Sequence, residues 1–230
     1  MGLPGLARLY SDLAQFYAVR TEQADRPGER APTMLAQVAE ELAQVATGTI
    51  AAPEPAPLPV TRLLALLDQN LDRNLDQNLA PVLGSFLGLA DSLPWTQTRV
   101  YLDALPAEFV RNYGYVRLVG PGEGAVVHSD RVAVGIGVWG SGLYYPRHAH
   151  PAEEAYHVLA GEVGFRGADG VRRELRPGPR GDMADCAHNA PDEPHELWFG
   201  APGSDPERIQ PCVLLWAWVG EISVDARLVG

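Results

Sequence analysis

The spacing of hydrophobic and polar positions changes near residue 112 of the chain. Before it, apolar residues recur every three or four positions in segments rich in Ala, Leu, Gln and Glu, which predicts helices over 6–19, 34–46 and 63–79. After it, short runs rich in β-branched and aromatic residues are separated by Gly and Pro turns, which is typical of a sandwich or barrel. The predicted strands cover 113–119, 131–139, 155–165, 171–175, 195–199 and 212–219. The pattern predicts a helical region, 1-112, that packs on a mainly β domain, 113-230.

The third predicted helix contains a repeated Leu-Asp-x-Asn tetrapeptide. The leucines recur at Leu67, Leu71, Leu75 and Leu79. Since four residues is close to the helical period, they form one slowly drifting apolar stripe. The stripe is either a homodimer interface or a face that packs against the barrel.

Composition and charge exclude several classes of function. Hydrophobic residues make up 46% of the 230 residues and charged residues 20%, which is ordinary for a folded domain. The net charge of −11 disfavours nucleic acid and anionic membranes as partners. The absence of lysine excludes Schiff-base, pyridoxal phosphate and P-loop chemistry. With no signal-peptide pattern and no long apolar run, we expect a cytoplasmic protein, and we expect its two cysteines to be free thiols.

All six histidines lie in the β region, so any chemistry that depends on histidine belongs there. His148 and His150 are two residues apart, and on a strand their imidazoles leave the same face. After a turn at Pro151, a second strand places Glu154 and Tyr156 on one face. The pair of histidines and a nearby carboxylate predict a metal site with Tyr156 beside it.

These residues resemble a known family. The first cupin motif, G-x5-H-x-H-x3,4-E-x6-G, is matched without a gap by Gly142, His148, His150, Glu154 and Gly161. The resemblance implies a C-terminal cupin barrel, a double-stranded β-helix or jelly roll, behind a helical N-terminal region. The fold class is therefore mainly β with an α extension.

The cupin resemblance also implies a fourth ligand, a histidine on a later strand. The second motif is looser: Gly181-Asp182 resembles its beginning and Pro194-His195 its end. We favour His195 because it enters a predicted strand, whereas His188 lies in a polar loop and remains the competitor. Three imidazoles and a carboxylate suit one divalent transition metal, namely Zn, Fe, Mn or Ni. Glu153 is expected to face away from the site.

The segment 144–156 further resembles the cupin-type dimethylsulfoniopropionate (DMSP) lyases, in particular the DddL type. That resemblance implies a metal-dependent β-elimination of a small zwitterionic substrate to dimethyl sulfide and acrylate. It implies Tyr156 as the general base, whose alternative is an ordinary barrel tyrosine. Tyr145 is predicted as a second catalytic group. The aromatic residues predicted to bind substrate are Tyr144, Trp139 and Trp198, while Trp216 and Trp218 share one face of their strand.

The cupin ligands alone leave other functions open. A metal-dependent dioxygenase or isomerase acting on another small carboxylate would use the same ligands without Tyr156 as a base. A non-catalytic binding protein would hold a small carboxylate without converting it. Fold alone does not choose among these functions.

Overall fold

The computed structural model describes residues 4–24, 32–67, 79–178, 184–201, 203 and 208–229. Its α-helices are α1 (Pro4–Ala24), α2 (Pro32–Thr47), α3 (Leu79–Leu87), α4 (Arg99–Ala104) and α5 (Ala107–Arg111), with 3₁₀ helices at Pro59–Leu66 and Ala90–Ser92. Its strands are β1 (Tyr113–Gly120), β2 (Ala125–His128), β3 (Val132–Gly140), β4 (Tyr144–Ala149), β5 (Ala152–Ala160), β6 (Val163–Arg166), β7 (Arg172–Leu175), β8 (Cys186–Asn189), β9 (His195–Phe199), β10 (Pro211–Gly220) and β11 (Arg227–Leu228).

The strands form two sheets, one of six strands in the order β2-β1-β3-β10-β5-β8 and one of five in the order β11-β4-β9-β6-β7. Apart from the parallel pair of β1 and β2, the paired strands are antiparallel. The mainly β fold with N-terminal helices, predicted as a cupin barrel, is confirmed.

Two stretches differ from the sequence expectation. The start of the predicted helix at 63–79 is instead part of the 3₁₀ helix Pro59–Leu66, its last residue lies in α3, and 68–78 lie outside the described residues. Leu71 and Leu75 lie outside the described residues, whereas Leu67 and Leu79 are buried in the core shared by the helices and the barrel. The run 155–165 divides into β5 and β6 because Gly161, with φ of 79°, turns the chain from one sheet to the other.

The six-stranded sheet has two apolar faces, because side chains alternate along each strand. On β3, Val134, Ile136 and Val138 face outward and share a core with the helices. The inner face of β10 carries Trp216 and Trp218, which belong to the barrel's internal cluster. The helical region therefore covers the outside of this sheet, and its aromatic inner face is left for the site.

Two glycines on β3 make room for the aromatic rings inside the barrel. A Cβ at Gly135 would lie 2.3 Å from the Trp216 ring, and one at Gly137 would lie 2.4 Å from the Trp139 ring. No side chain fits at either position without displacing an indole. The alternation of Gly135, Gly137 and Trp139 is thus a packing requirement of the inner face.

Helix α1 is fastened to the barrel by buried polar contacts. The Tyr10 hydroxyl donates to the carbonyl oxygen of Leu118 at 2.7 Å. Arg20, 1% exposed, donates to the fully buried Asp185 at 2.8 Å. His157, on the outer face of β5, has its Nδ1 3.4 Å from the same carboxylate. The contacts of His157 are therefore structural and lie outside the barrel.

Of the described helices, none has both the length and the apolar character needed to cross a bilayer. Cys186 and Cys212 are free thiols, as predicted.

Candidate metal centre and aromatic cavity

Three strands bring the predicted ligands together inside the barrel. His150 follows β4, Glu154 lies on β5 and His195 begins β9. One ligand atom from each of these residues lies within 4.8 Å of the others, and all three residues are buried. His148, also predicted as a ligand, is not part of that tight group, although its ring centroid is 4.1 Å from that of His195.

Each imidazole is oriented by its other nitrogen. The Nδ1 atoms of His148, His150 and His195 lie 2.8, 2.9 and 3.0 Å from the carbonyl oxygens of Pro146, Ala152 and Glu193, respectively. Because a carbonyl oxygen only accepts, each Nδ1 carries the proton. In the neutral ring Nε2 is then a bare acceptor, which is the arrangement of metal-binding histidines.

The acceptors converge closely enough to share a cation. The Nε2 atoms of His150 and His195 lie 3.0 and 3.2 Å from the same Glu154 oxygen, Oε2. His195 Nε2 is buried and has no hydrogen-bond partner among the described residues. A divalent ion between these atoms would satisfy all three groups. The donor set therefore fits a metal.

The cluster shifts the pKa of His148, His150 and Glu154. Burial holds the pKa of His148 well below its ordinary value, so its ring is neutral. Burial also lowers the pKa of His150, but the neighbouring Glu154 carboxylate outweighs burial and raises it overall. Burial raises the pKa of Glu154, yet the facing His150 and His195 outweigh burial and hold it well below its usual range. The carboxylate is therefore ionised.

A β-bulge decides which tyrosine of the Tyr144-Tyr145 pair enters the barrel. Tyr145 pairs with Leu197 and His148 with His195, so β4 has one more residue than β9 between these pairs. Tyr145 consequently shares a face with His148, and the two rings stack with centroids 4.0 Å apart. Burial raises the pKa of Tyr145 well above its ordinary value. Tyr145, predicted as a catalytic group, is thus in contact with a predicted ligand.

Tyr144 and Trp198, predicted to bind substrate, lie elsewhere. They pair across β4 and β9 and stack on each other with centroids 5.2 Å apart, on the outer face of the five-stranded sheet. Arg166 and Arg172 cover the Trp198 ring from solvent, at 5.1 and 4.6 Å. Because of the bulge, the structure does not bring these two aromatics to the metal centre.

His188 and Glu153 also lie outside the cluster. His188 Nε2 is 2.7 Å from Glu153 Oε1, and both side chains are partly exposed. On β8 and β5 they occupy the face opposite to Asn189 and Glu154. This placement agrees with His195 as the candidate fourth ligand. Gly181 and Asp182, expected to begin the second motif, lie outside the described residues.

Two further side chains hold the Glu154 carboxylate in place. Trp218 Nε1 donates to Oε1 at 2.6 Å, and Asn189 Nδ2 donates to Oε2 at 3.0 Å. Asn189, which was not predicted, is fully buried and pairs with Glu154 across β5 and β8. The stretch 186–189 carries too weak a strand pattern to be predicted, and only the register of β8 against β5 brings Asn189 to Glu154.

Replacing Asn189 by alanine is expected to weaken metal binding about 10- to 100-fold, the usual effect of losing an outer hydrogen bond to a ligand. The reason is that Glu154 Oε2 loses a donor that fixes its direction. The metal dissociation constant, measured by competition with a chelating dye, reports the change. Cys186→Ala, on the opposite face of β8, is the control and should bind metal normally; equal affinities in both variants would contradict the assignment.

The metal cluster borders an aromatic cavity. Its walls include the predicted residues Trp139, Tyr145 and Tyr156 together with Glu154. The other residues that line it are Thr98, Tyr113, Tyr115, Arg117, Trp216, Trp218, Asp225 and Ala226.

Burial, and then the Glu154 charge, raise the pKa of Tyr156 well above its ordinary value. Trp139 Nε1 is buried without a hydrogen-bond partner among the described residues, and is therefore an available donor.

Comparison with known proteins agrees with the motif. The family model for DMSP lyases matches residues 31–201. The DMSP lyase DddQ of Ruegeria pomeroyi is 42% identical over 74 residues, which are 32% of this chain and 36% of that protein. This alignment therefore spans about a third of the curated relative's length.

Solved structures extend the likeness to the whole chain. The crystal structure of DddQ from Ruegeria pomeroyi aligns over 96% of both chains, with a TM-score of 0.63 and 25% identity. A crystal structure of the DMSP lyases RdDddP and RnDddQII aligns over 100% of both chains, with a TM-score of 0.69 and 19% identity, and shows a shared fold. The DddL type stays a prediction, since the relatives named here include DddQ proteins. Because the family model matches most of its length, the chain belongs to the dimethylsulfoniopropionate lyase family.

Proposed function

We propose that this protein is a metal-dependent lyase that cleaves DMSP to dimethyl sulfide and acrylate by β-elimination. The observation that carries the proposal is that Tyr156 lines the same aromatic cavity as Glu154, a member of the candidate metal-binding cluster. The family match and the DddQ relative support the choice of substrate.

The proposed ligands are His148, His150, Glu154 and His195. A bound divalent metal would polarise the substrate carboxylate as a Lewis acid, acidify the α proton and offset the Glu154 charge that raises the pKa of Tyr156. The donor set suits Zn, Fe, Mn or Ni.

Tyr156 is the proposed base. Its phenolate oxygen takes the proton from the α carbon, and the C–H electron pair forms the double bond between the α and β carbons. The bond from the β carbon to sulfur breaks, and its electron pair leaves with neutral dimethyl sulfide. Acrylate remains, and the tyrosine returns its proton to solvent.

The aromatic wall is the proposed site for the sulfonium group. Tyr113, Tyr115, Trp139 and Trp216 line the cavity, and aromatic rings attract a cation. Tyr145 is proposed to orient His148 through the ring stack. The cytoplasmic location and the homodimer stay predictions.

The test is release of dimethyl sulfide from DMSP by the purified protein, measured by gas chromatography of the headspace. We expect release that disappears with a chelator and returns when metal is restored. If metal-loaded protein binds a small carboxylate but releases no dimethyl sulfide, the lyase proposal is refuted. The isomerase, dioxygenase and binding-protein alternatives then remain.

A further inference from the structure

The cavity has a charged end that the proposed chemistry does not use. Arg117, on the inner face of β1, and Asp225, just before β11, both line it. Asp225 is 60% exposed, whereas Glu154 is 2% exposed, so the pair marks the solvent side of the cavity and Glu154 its buried side.

Arg117 and Asp225 form a loose pair. Arg117 Nη2 lies 3.7 Å from Asp225 Oδ1, which is longer than the 2.7–2.9 Å typical of a charge-assisted hydrogen bond. Arg117 Nε is buried and has no hydrogen-bond partner among the described residues. The arginine lies beside the aspartate without saturating its oxygens.

Of the described residues that line the cavity, two carry a carboxylate, Glu154 and Asp225. Both oxygens of Glu154 are already engaged, by Trp218, Asn189 and the histidines. Asp225 is the carboxylate left to face a cationic ligand. Both charges of the pair reach the cavity wall: burial is the main cause of the raised pKa of Tyr115, the Arg117 charge opposes it, and the Asp225 charge adds a smaller increase.

We propose that Asp225, positioned by Arg117, recognises the cationic end of a zwitterionic carboxylate and makes the site prefer it over a neutral molecule of the same shape. The inference rests on the proposed function for the orientation of the ligand, with its carboxylate at the metal end. The aromatic rings accept the methyl groups of either molecule and attract the cation, and the Asp225 charge adds to that preference. The ligand class is a short carboxylate that bears a sulfonium or quaternary ammonium group.

The expected effect is modest because Asp225 is more than half exposed and salt screens its charge. Removing the charge should weaken binding of the cation about three- to fivefold, the upper range for exposed ion pairs.

Two unreactive probes of nearly equal shape isolate the charge. 3-(Trimethylammonio)propionate carries a permanent cation, and 4,4-dimethylpentanoate replaces its nitrogen with carbon. Binding to the metal-containing full-length protein is followed by isothermal titration calorimetry, with tryptophan fluorescence as a second signal because Trp139, Trp216 and Trp218 line the cavity. The variants are Asp225→Asn and the charge-conserving Asp225→Glu.

Asp169→Asn is the matched control, since Asp169 is also an exposed aspartate paired with an arginine but does not line the cavity. We expect Asp225→Asn to weaken the cationic probe alone, and Asp225→Glu and Asp169→Asn to retain the wild-type preference. Equal weakening of both probes, an unchanged preference in Asp225→Asn, or a wild-type protein without preference would overturn the proposal.

The two proposals fail separately. Dimethyl sulfide release together with an unchanged preference in Asp225→Asn would refute the role of Asp225 and leave the lyase. A preference that depends on Asp225 without any release would refute the lyase and leave Asp225 as the residue that selects a cationic ligand.

Discussion

Replacing His195 by alanine is expected to remove the bound metal and with it the turnover of DMSP. His195 Nε2 is buried without a hydrogen-bond partner among the described residues, and it lies 3.2 Å from Glu154 Oε2. Its loss removes one ligand atom from the set proposed to hold the cation. Metal content by inductively coupled plasma mass spectrometry and headspace dimethyl sulfide report the two effects.

His188→Ala is the control, because His188 was the competing candidate and bonds Glu153 outside the cluster. That variant should keep its metal and its rate. Both proteins should first be shown by circular dichroism to be folded. Metal retained in His195→Ala and lost in His188→Ala would reverse the assignment of the fourth ligand.

The sequence predicted much of this architecture because its signals are local. The helical period predicted α1 and α2, and runs rich in β-branched and aromatic residues predicted β1, β3 and β10. Alternation placed Glu154 and Tyr156 on one face of β5, and the structure puts both at the cavity. These features depend only on residues that lie close together in the sequence.

Features that depend on pairing between distant strands were not predictable in this way. The bulge in β4 is defined only by its pairing with β9. Because of it, Tyr145 rather than Tyr144 lies on the inner face. Asn189 reaches Glu154 because β8 pairs with β5, across 35 residues of sequence. Arg117 and Asp225, which lie close together at the cavity, are separated by a still longer stretch of sequence. Such residues become candidates only once the register of the sheets is known.

Replacing Tyr156 by phenylalanine is expected to preserve the metal and lower kcat by about 10²- to 10⁴-fold, the range for removing a general base. Phenylalanine keeps the ring that packs in the cavity and removes only the group proposed to take the α proton. The measurement is steady-state dimethyl sulfide release beside metal content. Tyr144→Phe is the matched control, since the Tyr144 hydroxyl bonds Glu196 on the outer face and should not affect the rate.

The pH dependence gives this prediction a second readout. A base acts when deprotonated, so the rate of the wild type should rise as pH rises toward the pKa of the Tyr156 phenol. Burial and then the Glu154 charge raise that pKa above the ordinary tyrosine value in the protein without metal. A bound cation opposes the Glu154 charge, so the rate of the metal-loaded enzyme should rise at a lower pH than the pKa of this phenol in the metal-free protein. In Tyr156→Phe this rise should vanish. A variant that keeps both the wild-type rate and the rise with pH would remove Tyr156 from the mechanism and leave it as a wall of the cavity.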